Sequence, residues 1–113
     1  MNLTNSPLLT RASTGTKEHL KLLASNPEFG TLRTMFERLF EKFITEKPYR
    51  AKTFQWTQPA KVGTPGWGAQ NITVNEDLAA RLKKEAVRLE VSLTTLLYTA
   101  LLWWIEQQAP KKP

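Results

Sequence analysis

The 113-residue chain has no cysteine and a single histidine, His19. Without thiols there can be no disulfide and no thiolate zinc site. With one imidazole there is no nucleophile–base pair and no histidine cluster for a metal. The sequence therefore points to a protein that is not an enzyme, with no catalytic residues, no metal site and no cofactor; His19 is read as a surface residue on a helix. Glycine-rich phosphate loops are missing too, because "GTPGWG" lacks both the dinucleotide-binding spacing and the lysine of a P-loop. Long apolar runs are absent. The longest, Leu96 to Ile105, is interrupted by Tyr98 and Thr99 and falls well short of the roughly 20 residues that span a bilayer. The opening MNLTNSPLLTRAS has no charged segment followed by a continuous apolar one. The expectation is a soluble, cytoplasmic chain with no membrane association.

Positive charge is present in excess. The formal net charge is +6, and a basic balance of this kind favours acidic partners, nucleic acid first. Its location is more informative than its sum: residues 1–68 hold ten Lys and Arg against five acids, whereas residues 69–113 hold six against five. Within the first part, "KPYRAKTFQWTQPAK" (47–61) carries Lys47, Arg50, Lys52 and Lys61 with no acid, interleaved with Tyr49, Phe54 and Trp56.

Along the chain, residues 1–15 are rich in Ser, Thr, Asn and Gly and read as a loose tail. "TKEHLKLLAS" from Thr16 reads as a short helix ending before Asn26-Pro27, where Asn26 can cap and Pro27 can open a second helix. In that second helix Leu32, Met35, Phe36, Leu39, Phe40, Phe43 and Ile44 recur at three and four, forming a wide apolar stripe. Glu37 and Glu41, one turn apart with Arg38 and Lys42 beside them, read as a solvated face. Residues 16–47 are thus a helical extension and 48–68 a basic, aromatic arm and Pro/Gly linker. Residues 69–108 form a module, and 109–113 a C-terminal tail. No internal repeat is visible.

The module begins with a brief strand: Ile72 and Val74 alternate with Asn71 and Thr73. A capped helix follows from Asn75 to about Leu89, then a break at Glu90-Val91 and a helix from Ser92 to about Gln108. A lone strand leaves its backbone unpaired, and about forty residues bury too little surface to stand alone. Two copies would solve both problems. Strands paired across a two-fold axis would point Ile72 and Val74 inward onto Leu78, Leu82, Leu97, Leu101 and Trp104, with Asn71 and Thr73 outward.

The sequence "ITVNEDLAARL" followed by "VSLTTLLYTALLWWIE" resembles the ribbon-helix-helix family of DNA-binding proteins over residues 69–108. The resemblance implies a mostly α fold: an intertwined homodimer with one short strand and two helices per chain, here with a helical N-terminal extension. By the same resemblance Asn71, Thr73 and Ala69 would contact bases in the major groove. The backbone at Ser92 and Leu93 would hold a phosphate, although Ser92 reads equally well as a plain helix cap. Three features of this chain depart from the family: the outer strand face lacks Lys and Arg, Glu90 stands where glycine is usual, and the charge of the module is nearly balanced.

Lys47, Arg50, Lys52 and Lys61 could supply further phosphate contacts as an arm; the other reading of that stretch is a solvated linker with its aromatics tucked against the fold. Leu93, Leu102 and Trp103 need cover, either from the Phe36/Phe40/Phe43 helix of the same chain or from a partner protein or higher oligomer. The expected function is sequence-specific binding of double-stranded DNA as a homodimer, or as a higher oligomer on DNA, in a transcriptional repressor, plasmid maintenance factor or antitoxin. The alternative is a dimeric interaction or accessory module whose N-terminal helices bind a partner protein such as a toxin or a DNA-processing enzyme.

Overall fold

A computed structural model describes residues 5–108; the expected C-terminal tail, 109–113, lies outside them. The chain is an α/β protein that runs twice through strand, helix, helix: β1 (Asn5–Ser13), α1 (Thr14–Ala24), α2 (Leu32–Glu46), β2 (Trp67–Asn75), α3 (Glu76–Leu89) and α4 (Leu93–Gln108). A single 3-10 turn, Pro48–Arg50, follows α2. β1 and β2 pair antiparallel over their whole length, from Asn5 opposite Asn75 to Ser13 opposite Trp67. The radius of gyration, 14.0 Å, is close to the ~13 Å of a compact 100-residue domain.

This arrangement overturns the intertwined ribbon-helix-helix homodimer. The partner of β2 is not a second chain but Asn5–Ser13 of the same chain, in a stretch expected to be a loose tail. The chain folds as a compact monomer because β1 satisfies the backbone of β2 internally. Leu8, Thr10 and Ala12 alternate inward opposite Ile72, Gln70 and Gly68. The inward side of β1 is weakly apolar, and Thr10 is buried only because its hydroxyl donates to the carbonyl of Thr94 at 2.8 Å. Pro7 is tolerated since each strand of a two-stranded ribbon has a free edge.

The two passes are alike in their caps. Ser13 and Asn75 each end a strand and accept from the amide three residues on, of Thr16 and Leu78. Thr31 and Ser92 cap the second helix of each pass in the same way, onto Thr34 and Thr95. A repeat that the residues hide is therefore present in the structure. The second helix starts at Leu32 rather than Asn26, because residues 26–30 form a turn in which Gly30 takes a left-handed φ of 77°.

Below the ribbon, α4 lies against β1 and α2 against β2, and α2 also packs on α3 and α4. Ile72, Val74, Leu78, Leu82, Leu97, Leu101 and Trp104, expected as a dimer core, are buried together in the core of one chain. α4 is buried almost all round, as its uniformly apolar sequence requires. The stripe of α2, Met35 to Ile44, faces the same core, so the helical extension is half of the fold. Glu41 is exposed beside Arg38 and Lys42, as a solvated face requires, whereas Glu37 is half-buried. Glu37 accepts from the backbone and side-chain amides of Asn75 at 2.7 and 3.1 Å, and Glu41 takes both Nη groups of Arg81. No single helix among the described residues is long and apolar enough to cross a membrane; α3 and α4 meet at 105°.

Residues 47–66 are a strap and not a free arm. Glu85 on α3 accepts from Lys47 and from the Tyr49 hydroxyl, while Arg88 clamps both of its oxygens. The Arg88 guanidinium chiefly, helped by Tyr49 and Lys47, holds the Glu85 carboxyl down at about 2. Burial, reinforced by the Glu85 hydrogen bond and charge, pushes the Tyr49 hydroxyl up. Farther on, Tyr49, Phe54 and Trp56 ring Phe43 with centroids 5.3–6.2 Å away, and Trp103 joins at 5.4 Å. Thr57 and Thr99 bond reciprocally, the Thr57 amide donating at 2.9 Å and the Thr99 hydroxyl at 3.1 Å. The strap ends at the ribbon, where the Gly66 carbonyl accepts from the Thr14 amide at 2.8 Å. The cover for Trp103 thus comes from the same chain, through Phe43, and Leu102 and Trp103 line one groove with strap residues Phe54 and Thr57.

Candidate functional site

The ribbon leaves one face uncovered. Strand alternation turns Pro7, Leu9 and Arg11 of β1 and Ala69, Asn71 and Thr73 of β2 away from the helices. They stand in three cross-strand pairs: Pro7 with Thr73, Leu9 with Asn71 and Arg11 with Ala69. Asn71 and Ala69 are exposed and Thr73 half-exposed, so the three residues singled out from the sequence share one surface. Leu9 is 55% exposed at the centre of this face, one of the exposed large apolar side chains with Leu22, Val62 and Val87.

Arg11 supplies the cation that β2 lacks. Its Nε donates to the carbonyl of Ala60 at 2.8 Å, so the strap orients the guanidinium while the two Nη groups lie outside that bond. Opposite it Ala69 offers only a methyl, which leaves room. Beside this pair Leu9, Arg11, Lys61, Val62, Trp67 and Ala69 line a hollow of about 280 Å³. Lys17, in the first turn of α1, approaches the same end from the inward side, its Nζ 3.7 Å from where a Cβ on the inward-facing Gly68 would lie. On the outer face Arg11 and Lys61 gather around that end.

The opposite end differs in charge. There α3 begins with Glu76 and Asp77, directly after Asn75, and Glu37 is bonded to Asn75 itself. Arg33 offsets Glu37 at 3.5 Å and Arg81 offsets Asp77 at 3.8 Å, so this end is close to neutral.

Against known protein families, curated proteins and solved structures, the chain has no match.

Of the four cations expected on phosphate, only Lys61 lies beside the ribbon. Lys47 is engaged by Glu85 at 3.2 Å. Arg50 and Lys52 are exposed on the strap next to residues that groove against Leu102, Trp103 and Glu106. That groove runs along α4 from Thr99 to Glu106, roughly 8–18 Å along the helix from Thr94, where β1 is bonded. Ser92 is occupied as a helix cap: its oxygen accepts from the Thr95 amide at 3.1 Å, and its hydroxyl donates to Thr95 Oγ1 at 2.8 Å. Leu93 is half-buried against the core. Because α4 lies along β1, Ser92 and Leu93 flank the strand that carries Leu9 and Arg11, not the one that carries Asn71.

Leu9, Arg11 and Lys17 lie outside the residues singled out from the sequence. The cap alone signals an element there: Ser13 stands three before Thr16, just as Asn75 stands three before Leu78. Among the described residues no group of three or more His, Asp or Glu is placed to hold a metal ion. His19 is exposed on α1.

Proposed function

We propose that this protein binds double-stranded DNA as a monomer, laying the outer face of its β1–β2 ribbon in the major groove. The groove is about 12 Å wide and admits a two-stranded ribbon. Its base edges suit the side chains on this face: Arg for guanine O6 and N7, Asn for adenine N6 and N7, and apolar groups for the thymine methyl. The observation that carries the reading is the grouping of Arg11, Asn71 and Thr73 with the uncovered Leu9 and Ala69 on one ribbon, with Lys61 beside it. An apolar residue exposed between polar ones can meet a thymine methyl in such a groove. The proposed setting is the cytoplasm, where such a chain would act as a transcriptional regulator, a plasmid maintenance factor or an antitoxin; binding, not catalysis, is its task.

Selection from a pool of randomised 20-base-pair duplexes, followed by fluorescence anisotropy on the enriched sequence, tests this. Asn71→Ala and Arg11→Ala should each weaken specific binding by roughly 1–3 kcal/mol and relax preference at one base pair. Lys61→Ala should weaken all sequences alike and reduce the salt slope by about 0.9. If no sequence is enriched and affinity does not respond to salt, the proposal fails.

A further inference from the structure

The face of the ribbon is built from two unlike strands of one chain, and this constrains what it can read. Where two identical chains form a ribbon, a two-fold axis repeats every side chain, and the DNA site repeats with it. An axis through the central Leu9–Asn71 pair would exchange Leu9 with Asn71, Arg11 with Thr73 and Pro7 with Ala69. No rotation maps a guanidinium onto a threonine hydroxyl, or an amide onto an isobutyl group.

Charge divides the ribbon in the same sense. Arg11 and Lys61 stand together at the Ser13–Trp67 end, where Lys17 approaches from the inward side and the first turn of α1 contains no acid. At the Asn5–Asn75 end the first turn of α3 contains Glu76 and Asp77, and Glu37 is adjacent. Phosphates are therefore attracted strongly at one end and weakly at the other. The strap reinforces the difference, because the Ala60 carbonyl orients Arg11.

We infer that the ligand is a single, non-palindromic duplex site, bound by one chain in one orientation. A G·C pair faces Arg11, and an A·T pair faces Asn71 with a thymine methyl near Leu9. Arg11 and Asn71 belong to neighbouring outward pairs, about 6.8 Å apart along the strands, which corresponds to roughly two base-pair steps. This rests on the proposed ribbon reading and adds to it the symmetry, polarity and stoichiometry of the target.

Because the chain has no cysteine, Val62→Cys creates a unique attachment point for an iron chelate that cleaves nearby DNA. Val62 is 82% exposed and lines the hollow at the basic end. On the duplex enriched from the random pool, cleavage should fall on one side of the motif only, with one chain per duplex. Arg11→Ala should lose about 5- to 150-fold in affinity and discrimination at the G·C pair alone, and Asn71→Ala the same at the A·T pair alone. Cuts of equal strength on both sides, or a motif that is its own reverse complement within the footprint of one chain, overturn the inference while leaving ribbon-mediated DNA binding intact. Failure to enrich any sequence overturns the ribbon reading itself, and this inference with it.

Discussion

Thermal unfolding at two protein concentrations distinguishes a chain that completes its own ribbon from one that needs a partner. If β2 paired only across a dimer axis, folding and association would be one event. A hundredfold dilution would then remove about 2.7 kcal/mol of apparent stability. For a dimer of two 113-residue chains, at roughly 2–4 °C per kcal/mol for a unit of that size, the melting temperature would fall by about 5–11 °C. Here β1 supplies the ladder over nine residues, and Ile72, Val74 and Leu97 are already at 0% exposure within one chain. Dilution from about 100 to 1 μM should leave the midpoint unchanged within about 1 °C, and light scattering should report a single chain of 12.9 kDa. A dilution shift of 5 °C or more, with an accompanying dimer mass, would refute intramolecular pairing. A complementary perturbation is Leu8→Asp, which buries a carboxylate opposite Ile72 and should unfold the chain. The same substitution in a loose tail would cost less than about 0.5 kcal/mol.

Phe43→Ala should cost about 3–5 kcal/mol, near the top of that range, since the ring is fully buried against four other aromatic rings; a denaturant midpoint that scarcely moves would show that the strap is not packed there. Glu85→Gln should cost about 1–3 kcal/mol at neutral pH by weakening its bonds to Arg88, Tyr49 and Lys47. The folded carboxyl titrates near 2 and its ordinary value is 4.5, so its contribution is complete above about pH 4.5 and is lost as pH falls toward 2. The Gln variant should lose this part of the acid dependence, and an unchanged acid limb in urea titrations would count against the cluster. Glu90→Gly should stabilise by about 0.5–1 kcal/mol, because Glu90 ends α3 at a left-handed φ of 59°; calorimetry showing a loss would contradict that account.

Local chemistry was legible in the sequence, and non-local pairing was not. The caps Asn75 and Ser92, the break at Glu90-Val91, the stripe of α2 and the outward placement of Ala69, Asn71 and Thr73 depend on residues within a few positions of one another. Period and capping report such features directly. The need of β2 for a partner was also legible, since an unpaired strand is incomplete. The identity of the partner was not, because β1 lies about sixty residues away and presents Leu8, Thr10 and Ala12 to the core, an inward face too weakly apolar to register as a strand. Thr10 is accepted there only because the Thr94 carbonyl meets its hydroxyl, an interaction that exists once α4 is in place. Likewise nothing in "KPYRAKTFQWTQPAK" separates an arm from a strap. Phe43, Trp103, Thr99 and Glu85 decide it by offering the aromatics and polar groups of the stretch partners that water cannot match. The sequence by itself determined the local elements, the inward and outward faces and the excess of positive charge; only the tertiary structure decided that one chain holds both strands of its ribbon, because strand pairing is a contact between segments whose sequences need not announce each other.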